Sequence, residues 1–417
     1  MDAEPRMESA TPMRIYAFVE YYPNAYKAYY DAQFADLVRR GHDLTVFALG
    51  TFDGVLNDKV REYGLAERTR YIHGYELRTL PRFAMRIARE IVARPAARAK
   101  AAATVARGRG SAKSMLKAAA RACTLPLEAP DLCMVHSHRT MMLLPWLRTL
   151  YPDTPITLHY YGGEPSEAGR LDRASVREAF AGADITFALT EYAREEAIER
   201  GADPHRTAVL PLGFDIKDYA PPRPRKYRVN GVLQLVSAGR LSEGKGHLHA
   251  LEALTALKES EGPPVQYTII GDGYLRSRLE THVRRRGLDD QVTFTGTLTN
   301  SEMLEHFGAA DALLLPSVPT PTWVETQGAV IQEALLMEAI AVATRTGGVP
   351  ESVPPALHRF TVEPGNSAAL AQSIRMLAEL PEHDFRELGR AGREWVIDRY
   401  DVATLNSRAL RVATESA

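Results

Sequence analysis

Residues 13–19 (MRIYAFV) form a short apolar run, which is followed by a polar turn and by a helical pattern over residues 26–40. A second apolar run, LTVFAL at residues 44–49, comes shortly after this helical pattern. Short apolar runs that alternate with amphipathic helices are typical of βαβ units, in which a parallel sheet is buried on both faces. This opening stretch therefore predicts an α/β fold.

The same alternation continues through the chain in two blocks. Further strands of the first block are predicted at residues 132–135, 156–159, 185–189 and 208–210. Strands of the second block are predicted at residues 233–237, 266–270, 292–294, 312–315 and 341–344. The polar, proline-rich stretch 217–230 lies between the blocks and is interpreted as a linker.

We therefore expect two doubly wound, Rossmann-like domains, at residues 13–217 and 231–395, that face each other across a cleft. A helix over residues 396–417 should follow and pack back toward the first domain. Ligands of such sheets bind at the carboxyl ends of the strands, so the cleft is the expected site.

Size and composition fit an ordinary globular protein of two domains. The chain has 417 residues, of which 45% are hydrophobic and 25% are charged. Its formal net charge is -1, so nucleic acid is not predicted as a partner. The two cysteines, Cys123 and Cys133, have no metal-ligand spacing and indicate a reducing compartment.

The first twelve residues are polar and acidic, unlike a signal peptide, and no run of about 18 uncharged apolar residues occurs. We therefore expect a cytoplasmic protein. The segment 78–121 carries many arginines and lysines against the single acid Glu90. It is interpreted either as a pair of solvated helices or as a basic surface that contacts anionic membrane or a lipid-linked acceptor.

The loop 239–246 (GRLSEGKG) follows a predicted strand and opens a helical pattern. A glycine-bearing loop in this position offers backbone amides to a phosphate. Arg240 and Lys245 add two cations, which together suit a diphosphate whose charge must be held as it leaves. The alternative is two surface cations in a turn.

Two weaker signals lie at the ends of the next predicted strands. Gly271, Asp272 and Gly273 would let the backbone approach a ligand, and Phe294 is a candidate for packing a base. Because no complete G-x-G-x-x-G motif opens this unit, a nicotinamide-dependent dehydrogenase is disfavoured.

The segment 323–336 (WVETQGAVIQEALL) places Glu325 and Glu333 eight residues apart. If a helix begins near Gln327, the two carboxylates are separated by at most about 12 Å along it. That spacing suits one carboxylate at a sugar and the other at a ribose, with a diphosphate over the helix N-terminus. The donor-binding residues of that N-terminus would be Gly328, Ala329 and Val330. Because the helix is apolar on nearly every side, Glu333 should be buried and need a hydrogen-bonding partner, unless it faces solvent.

Together these residues resemble the retaining, nucleotide-sugar-dependent glycosyltransferases of family 4, which have the two-domain GT-B fold. Arg240 and Lys245 match the diphosphate-binding pair of that family. Glu325 and Glu333 match its E-x7-E motif. The resemblance covers nearly the whole chain.

Other segments also resemble family landmarks: 39–42 (RRGH), 212–215 (LGFD) and 347–351 (GGVPE). The run 316–318 and its loop are similar to members that build exopolysaccharides. The chain departs from the family pattern at Thr326, at 339–342 and at 21–26.

The resemblance implies transfer of a hexose with retention of configuration. Its front-face route uses the leaving diphosphate to help deprotonate the acceptor hydroxyl. Arg240 and Lys245 would stabilise that leaving group, and Glu325 would bind sugar hydroxyls. His159, at the end of the predicted strand 156–159, resembles the N-terminal-domain histidine beside the donor sugar, although a structural role is the alternative.

No separate cofactor is expected, because the nucleotide-sugar, UDP- or GDP-linked, is itself the substrate. No Asp-x-Asp occurs and no third ligand accompanies His136 and His138, so no metal ion is required. The expected acceptor is a glycan or lipid-linked saccharide of cell-surface or exopolysaccharide synthesis. The alternatives are a nucleotide-sugar epimerase of the same architecture and a catalytically silent module that binds membrane or a partner.

Overall fold

The computed structural model describes residues 11–24, 27–51, 57–72, 125–162 and 173–415. The basic segment 78–121 lies outside these ranges, so its predicted helices and membrane contact stay predictions. None of the helices in the described ranges is long and apolar enough to cross a lipid bilayer.

The N-terminal sheet is wholly parallel and has the strand order β3-β2-β1-β4-β5-β6-β7. Its strands are β1 (Arg14–Tyr21), β2 (Asp43–Gly50), β3 (Thr69–Tyr71), β4 (Leu132–His136), β5 (Ile156–Tyr160), β6 (Ile185–Ala188) and β7 (Thr207–Val209). Its helices are α1 (Ala28–Arg39), α2 (Asp58–Glu62), α3 (His138–Met141), α4 (Leu144–Leu150), α5 (Arg173–Ala181) and α6 (Glu191–Glu199). Every residue of β4 and β5 is buried, as expected of apolar strands covered by helices on both faces.

The C-terminal sheet is also wholly parallel, with the order β10-β9-β8-β11-β12-β13. Its strands are β8 (Leu233–Ala238), β9 (Val265–Ile270), β10 (Val292–Gly296), β11 (Ala312–Leu315), β12 (Ile340–Thr344) and β13 (Thr361–Val362). Its helices are α7 (His247–Glu259), α8 (Arg276–Arg286), α9 (Asn300–Ala309), α10 (Val330–Leu336), α11 (Val349–Ser352), α12 (Ser367–Glu379) and α13 (Glu382–Tyr400). These two sheets confirm the predicted pair of doubly wound α/β domains.

Both sheets have a topological switch point, at β1 and β4 in the first and at β8 and β11 in the second. A crevice opens at such a point on the carboxyl side of the strands, which is where ligands of this fold class bind. The strands β3 (TRY) and β13 (TV) were not predicted, because neither contains an apolar run.

The last helix, α14 (Val402–Glu415), packs on the N-terminal domain. The side-chain amide of Asn406 donates a 2.8 Å hydrogen bond to Asp36 of α1, and Leu410 and Ala413 join the N-terminal core. The predicted boundary between residues 395 and 396 falls inside α13, and Tyr400 still belongs to the C-terminal core. We therefore propose that the second domain extends beyond the predicted limits 231–395 to Tyr400, and that the chain crosses back to the first domain, 13–217, at Asp401.

Candidate active site

Lys245 and Glu325, which are 80 residues apart in sequence, meet at the carboxyl end of the C-terminal sheet. The Lys245 Nζ atom donates to Glu325 Oε2 at 2.5 Å, and the Ser317 hydroxyl donates to the same oxygen at 3.1 Å. The Glu325 side chain is 10% exposed. A carboxylate this buried is stable when a cation and a hydroxyl satisfy it. The fold thus brings together two residues that the motifs nominated separately.

The predicted turn 347–351 packs against the backbone of Glu325. The backbone N–H of Gly348 donates to the Glu325 carbonyl at 3.1 Å. Gly347 has φ +51°, and a Cβ at this position would lie 2.0 Å from the same carbonyl oxygen. Glycine is therefore required here both by the left-handed backbone and by the close approach to Glu325.

We expect Gly347→Ala to reduce both stability and the glycosyltransferase activity that the motifs predict. A non-glycine residue in the left-handed region costs about 1–2 kcal/mol, and the contact must in addition push the Glu325 backbone away. Thermal unfolding and initial transfer rates measure the two effects. Gly231→Ala is the matched control, since Gly231 has φ +76° and a methyl group added there would have nothing within 4 Å. Equal losses of transfer in both variants would contradict a role for the contact with Glu325.

A cavity of about 180 Å³ lies between the two domains. Its C-terminal-domain wall includes Ala238, Gly239, Ile270, Gly271, Ala329, Val330 and Glu333. Its N-terminal-domain wall includes Ala28, Tyr29, Ala32, Asn57 and Lys59. Four predicted donor-binding residues therefore share one wall: Gly271, Ala329, Val330 and Glu333.

Glu333 is a buried carboxylate on this wall. The Tyr219 hydroxyl donates to Glu333 Oε1 at 3.5 Å, and burial raises the pKa of Glu333 to about 7. The prediction that the helix begins near Gln327 is wrong, because α10 begins at Val330. Glu333 consequently lies in the first turn of α10 and not two turns into a helix, so the helical rise does not measure its separation from Glu325.

Lys59 was missed by sequence reasoning, although it lines the same cavity. Its ammonium group donates to Asp215 at 2.7 Å and lies 3.0 Å from Asp218. Arg39 of α1 adds a third cation-to-carboxylate contact, 3.2 Å from Asp215. The landmark segments 39–42 and 212–215 therefore meet in one ion-pair network inside the N-terminal domain, beside the cavity. No local pattern marks Lys59, because α2 has only five residues and the partner Asp215 is 156 residues away.

The remaining predicted donor-binding residues do not line the cavity: Arg240, Lys245, Asp272, Gly273, Phe294 and Gly328. Arg240 is exposed. Phe294 is half-buried beneath the guanidinium group of Arg276, whose centre is 5.8 Å from the ring centroid. The cavity is instead lined near β10 by the segment 297–300 and by Met303.

His159 lies inside the N-terminal domain and is 5% exposed. Its ring stacks on that of His136 with a centroid distance of 4.3 Å. Burial lowers the pKa of His159 to about 3, so the imidazole is neutral at physiological pH. Its Nε2 atom has no hydrogen-bond partner among the described residues. The role of His159 beside the donor sugar stays a prediction.

The loop that carries Glu325 also contacts the N-terminal domain. The Thr190 hydroxyl donates to the carbonyl of Thr326 at 3.2 Å. The Glu351 carboxylate accepts from the backbone N–H groups of Glu191 and Tyr192 at 2.7 and 2.9 Å, at the start of α6. Negative charge is favourable at a helix N-terminus, so this contact stabilises the approach of the two domains beside the site.

Within the ranges that the structure describes, no group of three or more histidine, cysteine, aspartate or glutamate residues is arranged to hold a metal ion.

Two doubly wound domains that face each other across a lined cavity define a protein of the GT-B class. Residues 26–213 match the family model described as a glycosyl transferase 4-like domain. Residues 223–395 match the model described as glycosyl transferases group 1. The chain therefore belongs to family 4 of the glycosyltransferases, a retaining family that uses nucleotide-sugars, as its motifs predicted.

Similar proteins come from several bacteria. The chain is 34% identical over 164 residues to 2-deoxystreptamine glucosyltransferase of Streptomyces kanamyceticus, covering 39% of this chain and 41% of that protein. It is 24% identical over 402 residues to WcaL of Salmonella typhimurium, which is named for colanic acid biosynthesis. This match covers 94% of this chain and 98% of WcaL. The crystal structure of HepE of Anabaena in complex with UDP-glucose has a TM-score of 0.70 at 18% identity, covering 97% of this chain and 100% of HepE.

Proposed function

We propose that this glycosyltransferase moves a hexose from a UDP- or GDP-linked donor to a glycan or lipid-linked saccharide in cell-surface or exopolysaccharide synthesis. The observation that carries the proposal is the Lys245–Glu325 pair, in which Lys245 belongs to the turn 239–246 that begins at the cavity residue Gly239. The similarity to WcaL over nearly the full length of both chains supports the choice of acceptor class. A lipid-linked acceptor would be met at the cytoplasmic face of a membrane, with 78–121 as the proposed contact.

In the proposed reaction the bond between the sugar C1 and the diphosphate oxygen breaks, and the diphosphate leaves with the bonding electrons. Lys245, assisted by Arg240, stabilises the negative charge that develops on it. Glu325 accepts hydrogen bonds from the sugar hydroxyls. The acceptor oxygen bonds to C1 on the face that the diphosphate leaves, and its proton passes to a diphosphate oxygen, which retains the configuration.

Glu333 would accept hydrogen bonds from the ribose hydroxyls in the cavity. Its carboxylate is buried and accepts a long hydrogen bond from Tyr219. Within the described residues, no cation forms an ion pair with this carboxylate. Two ribose hydroxyls would satisfy this carboxylate better than the protein does alone. Thr299 and Asn300, which line the cavity near β10, are then placed toward the base.

A thermal-shift screen against UDP, GDP, ADP and their common sugar conjugates tests the proposal. One nucleotide should stabilise the protein by about 2.7 kcal/mol at a hundredfold excess over its dissociation constant. Glu333→Ala should abolish that shift, because the variant lacks the ribose contact. Absence of a shift with every nucleotide would contradict the proposed donor cleft.

Product analysis with the stabilising donor separates the proposal from its alternatives. Transfer of the hexose to a saccharide acceptor with retained anomeric configuration is the expected result. Conversion of the donor to its epimer without transfer would favour an epimerase, although both matching family models describe transferases. Binding without transfer or donor hydrolysis would favour the silent binding module.

A further inference from the structure

Trp323 packs against the turn that carries Lys245. The Lys245 ammonium nitrogen lies 4.9 Å from the centroid of the indole ring, within the range of a cation–π contact. The same ring covers Gly244, where an added Cβ would lie 2.3 Å from the Trp323 Cε3 atom. The indole therefore bounds the lysine on one side while Glu325 holds its ammonium group at 2.5 Å.

The loop that presents Trp323 is closed on itself and is joined to the same turn by a backbone hydrogen bond. The backbone N–H of Thr320 donates to the Trp323 carbonyl at 2.8 Å, which closes a tight turn in the loop. The N–H of Val318 donates to the Gly244 carbonyl at 2.8 Å. Because backbone groups on both sides make these contacts, the indole is held on Gly244 and Lys245 by the fold and not only by its own packing.

Lysine needs such a restraint if it is to act at one place. Its ammonium group ends a flexible four-carbon stem with several rotatable bonds. Electrostatic stabilisation of a leaving group is effective when the charge is already aimed at the position where negative charge develops. Glu325 alone would hold the ammonium group, but a donor whose hydroxyls engage Glu325 weakens that restraint, whereas the contact with Trp323 persists.

We propose that Trp323 is a positioning residue that keeps the Lys245 ammonium aimed at the donor diphosphate during transfer. This inference rests on the proposed function of Lys245 and Glu325. Trp323 itself need not touch the donor, and it does not line the cavity assigned to the nucleoside. Loss of the indole should therefore lower kcat and leave the affinity for the nucleotide nearly unchanged.

The first test compares Trp323→Leu with Trp323→Phe. Trp323→Leu should lower kcat by about tenfold, because misplacing a reacting group by about 1 Å can cost roughly 10²-fold in rate and Glu325 still holds the Lys245 ammonium in part. Trp323→Phe keeps an aromatic face and should recover most of that loss. The dissociation constant of the nucleotide, measured by titration calorimetry, should change by less than about twofold in both variants because the cavity contacts remain. An unchanged kcat in Trp323→Leu would overturn the inference, as would an equal loss of kcat in both variants.

A second test uses the contact between Trp323 and Gly244. The backbone of Gly244 is outside the left-handed region, so the ring is the chief obstacle to a methyl group there. Gly244→Ala should displace the indole and lower kcat in the wild-type background. It should have little further effect in Trp323→Leu, where the obstructing ring is gone. Additive losses in the double variant would show that the two residues act independently and would overturn the inference.

The wild-type protein separates this inference from the proposed function. If wild type neither binds a nucleotide nor transfers a sugar, the proposed function fails and the inference falls with it. If wild type transfers a hexose and Trp323→Leu transfers it equally fast, the proposed function stands and only the role of Trp323 is wrong. A thermal-unfolding midpoint within a few degrees of wild type is required of each variant before its kcat is compared.

Discussion

Replacing Lys245 by methionine is expected to lower kcat by about 10²–10³-fold, the loss typical of removing one group that stabilises developing charge. Methionine keeps much of the length and apolar bulk of the lysine stem but removes the ammonium group. The proposed donor diphosphate would then leave without one of its two predicted cations, Lys245 and Arg240. Initial rates of transfer at saturating donor measure the effect.

Two further variants distinguish lost chemistry from lost stability. Lys245→Met leaves the Glu325 carboxylate buried beside only the Ser317 hydroxyl, which destabilises the fold. Adding Glu325→Gln removes that unpaired charge, so the double variant should recover stability but not transfer. Lys258→Met is the matched control, because Lys258 is exposed on α7, donates to the carbonyl of Gly287 and lies outside the turn 239–246. Wild-type rates in Lys245→Met would remove this lysine from the mechanism.

Glu333→Gln should have opposite effects on stability and on nucleotide binding. Burial raises the pKa of Glu333 from 4.5 to about 7, which means that the folded protein favours the neutral acid. As the pH rises from about 4.5 to 7, the folded state progressively loses stability relative to the unfolded state. Glutamine resembles the neutral acid, so at pH 8 the free energy of unfolding of the variant should exceed that of wild type, by up to about 3 kcal/mol. At pH 4 the two proteins should be nearly equal.

Nucleotide binding should change in the other direction. Ribose hydroxyls donate hydrogen bonds more strongly to a carboxylate than to an amide oxygen. Losing a charged hydrogen bond of this kind costs about 1.5–3 kcal/mol, which corresponds to roughly 10–100-fold weaker binding. Because the ribose favours the ionised form, wild-type affinity should also fall as the pH drops below about 7, and the affinity of Glu333→Gln should not.

Glu338 is the matched control for this pair of measurements. It is a buried glutamate just beyond the end of α10, but Arg223 donates to both of its carboxylate oxygens, at 2.8 and 2.5 Å. The hydrogen bonds from Arg223 lower the pKa of Glu338. Glu338→Gln should therefore destabilise the protein at pH 8 while leaving nucleotide affinity unchanged. Destabilisation by Glu333→Gln, measured by denaturant unfolding at pH 8, would contradict the assignment of Glu333 as a buried carboxylate without a cation partner, and stabilisation by both substitutions would show that the gain is not specific to Glu333.

Much of the architecture could be predicted from local sequence. The apolar strands are buried on both faces, so they appear as continuous runs that contrast with the amphipathic helices between them. The turn 239–246 and the E-x7-E motif are likewise contiguous segments, which is why Lys245, Glu325 and Glu333 could be nominated in advance. The strands β3 and β13 were missed because neither contains an apolar run. The start of α10 was misplaced because the loop before it is held by contacts with residues distant in sequence, which leave no periodic pattern.

The sequence alone determined the two α/β domains, the family and four of the residues on one wall of the cleft, because each depends on patterns a few residues long. Only the tertiary structure decided how those residues are paired. Lys245 meets Glu325 across 80 residues, Tyr219 meets Glu333 across 114, and Lys59 meets Asp215 across 156. Contacts over such sequence separations depend on how the sheets and the domains pack, so no local sequence pattern predicts them.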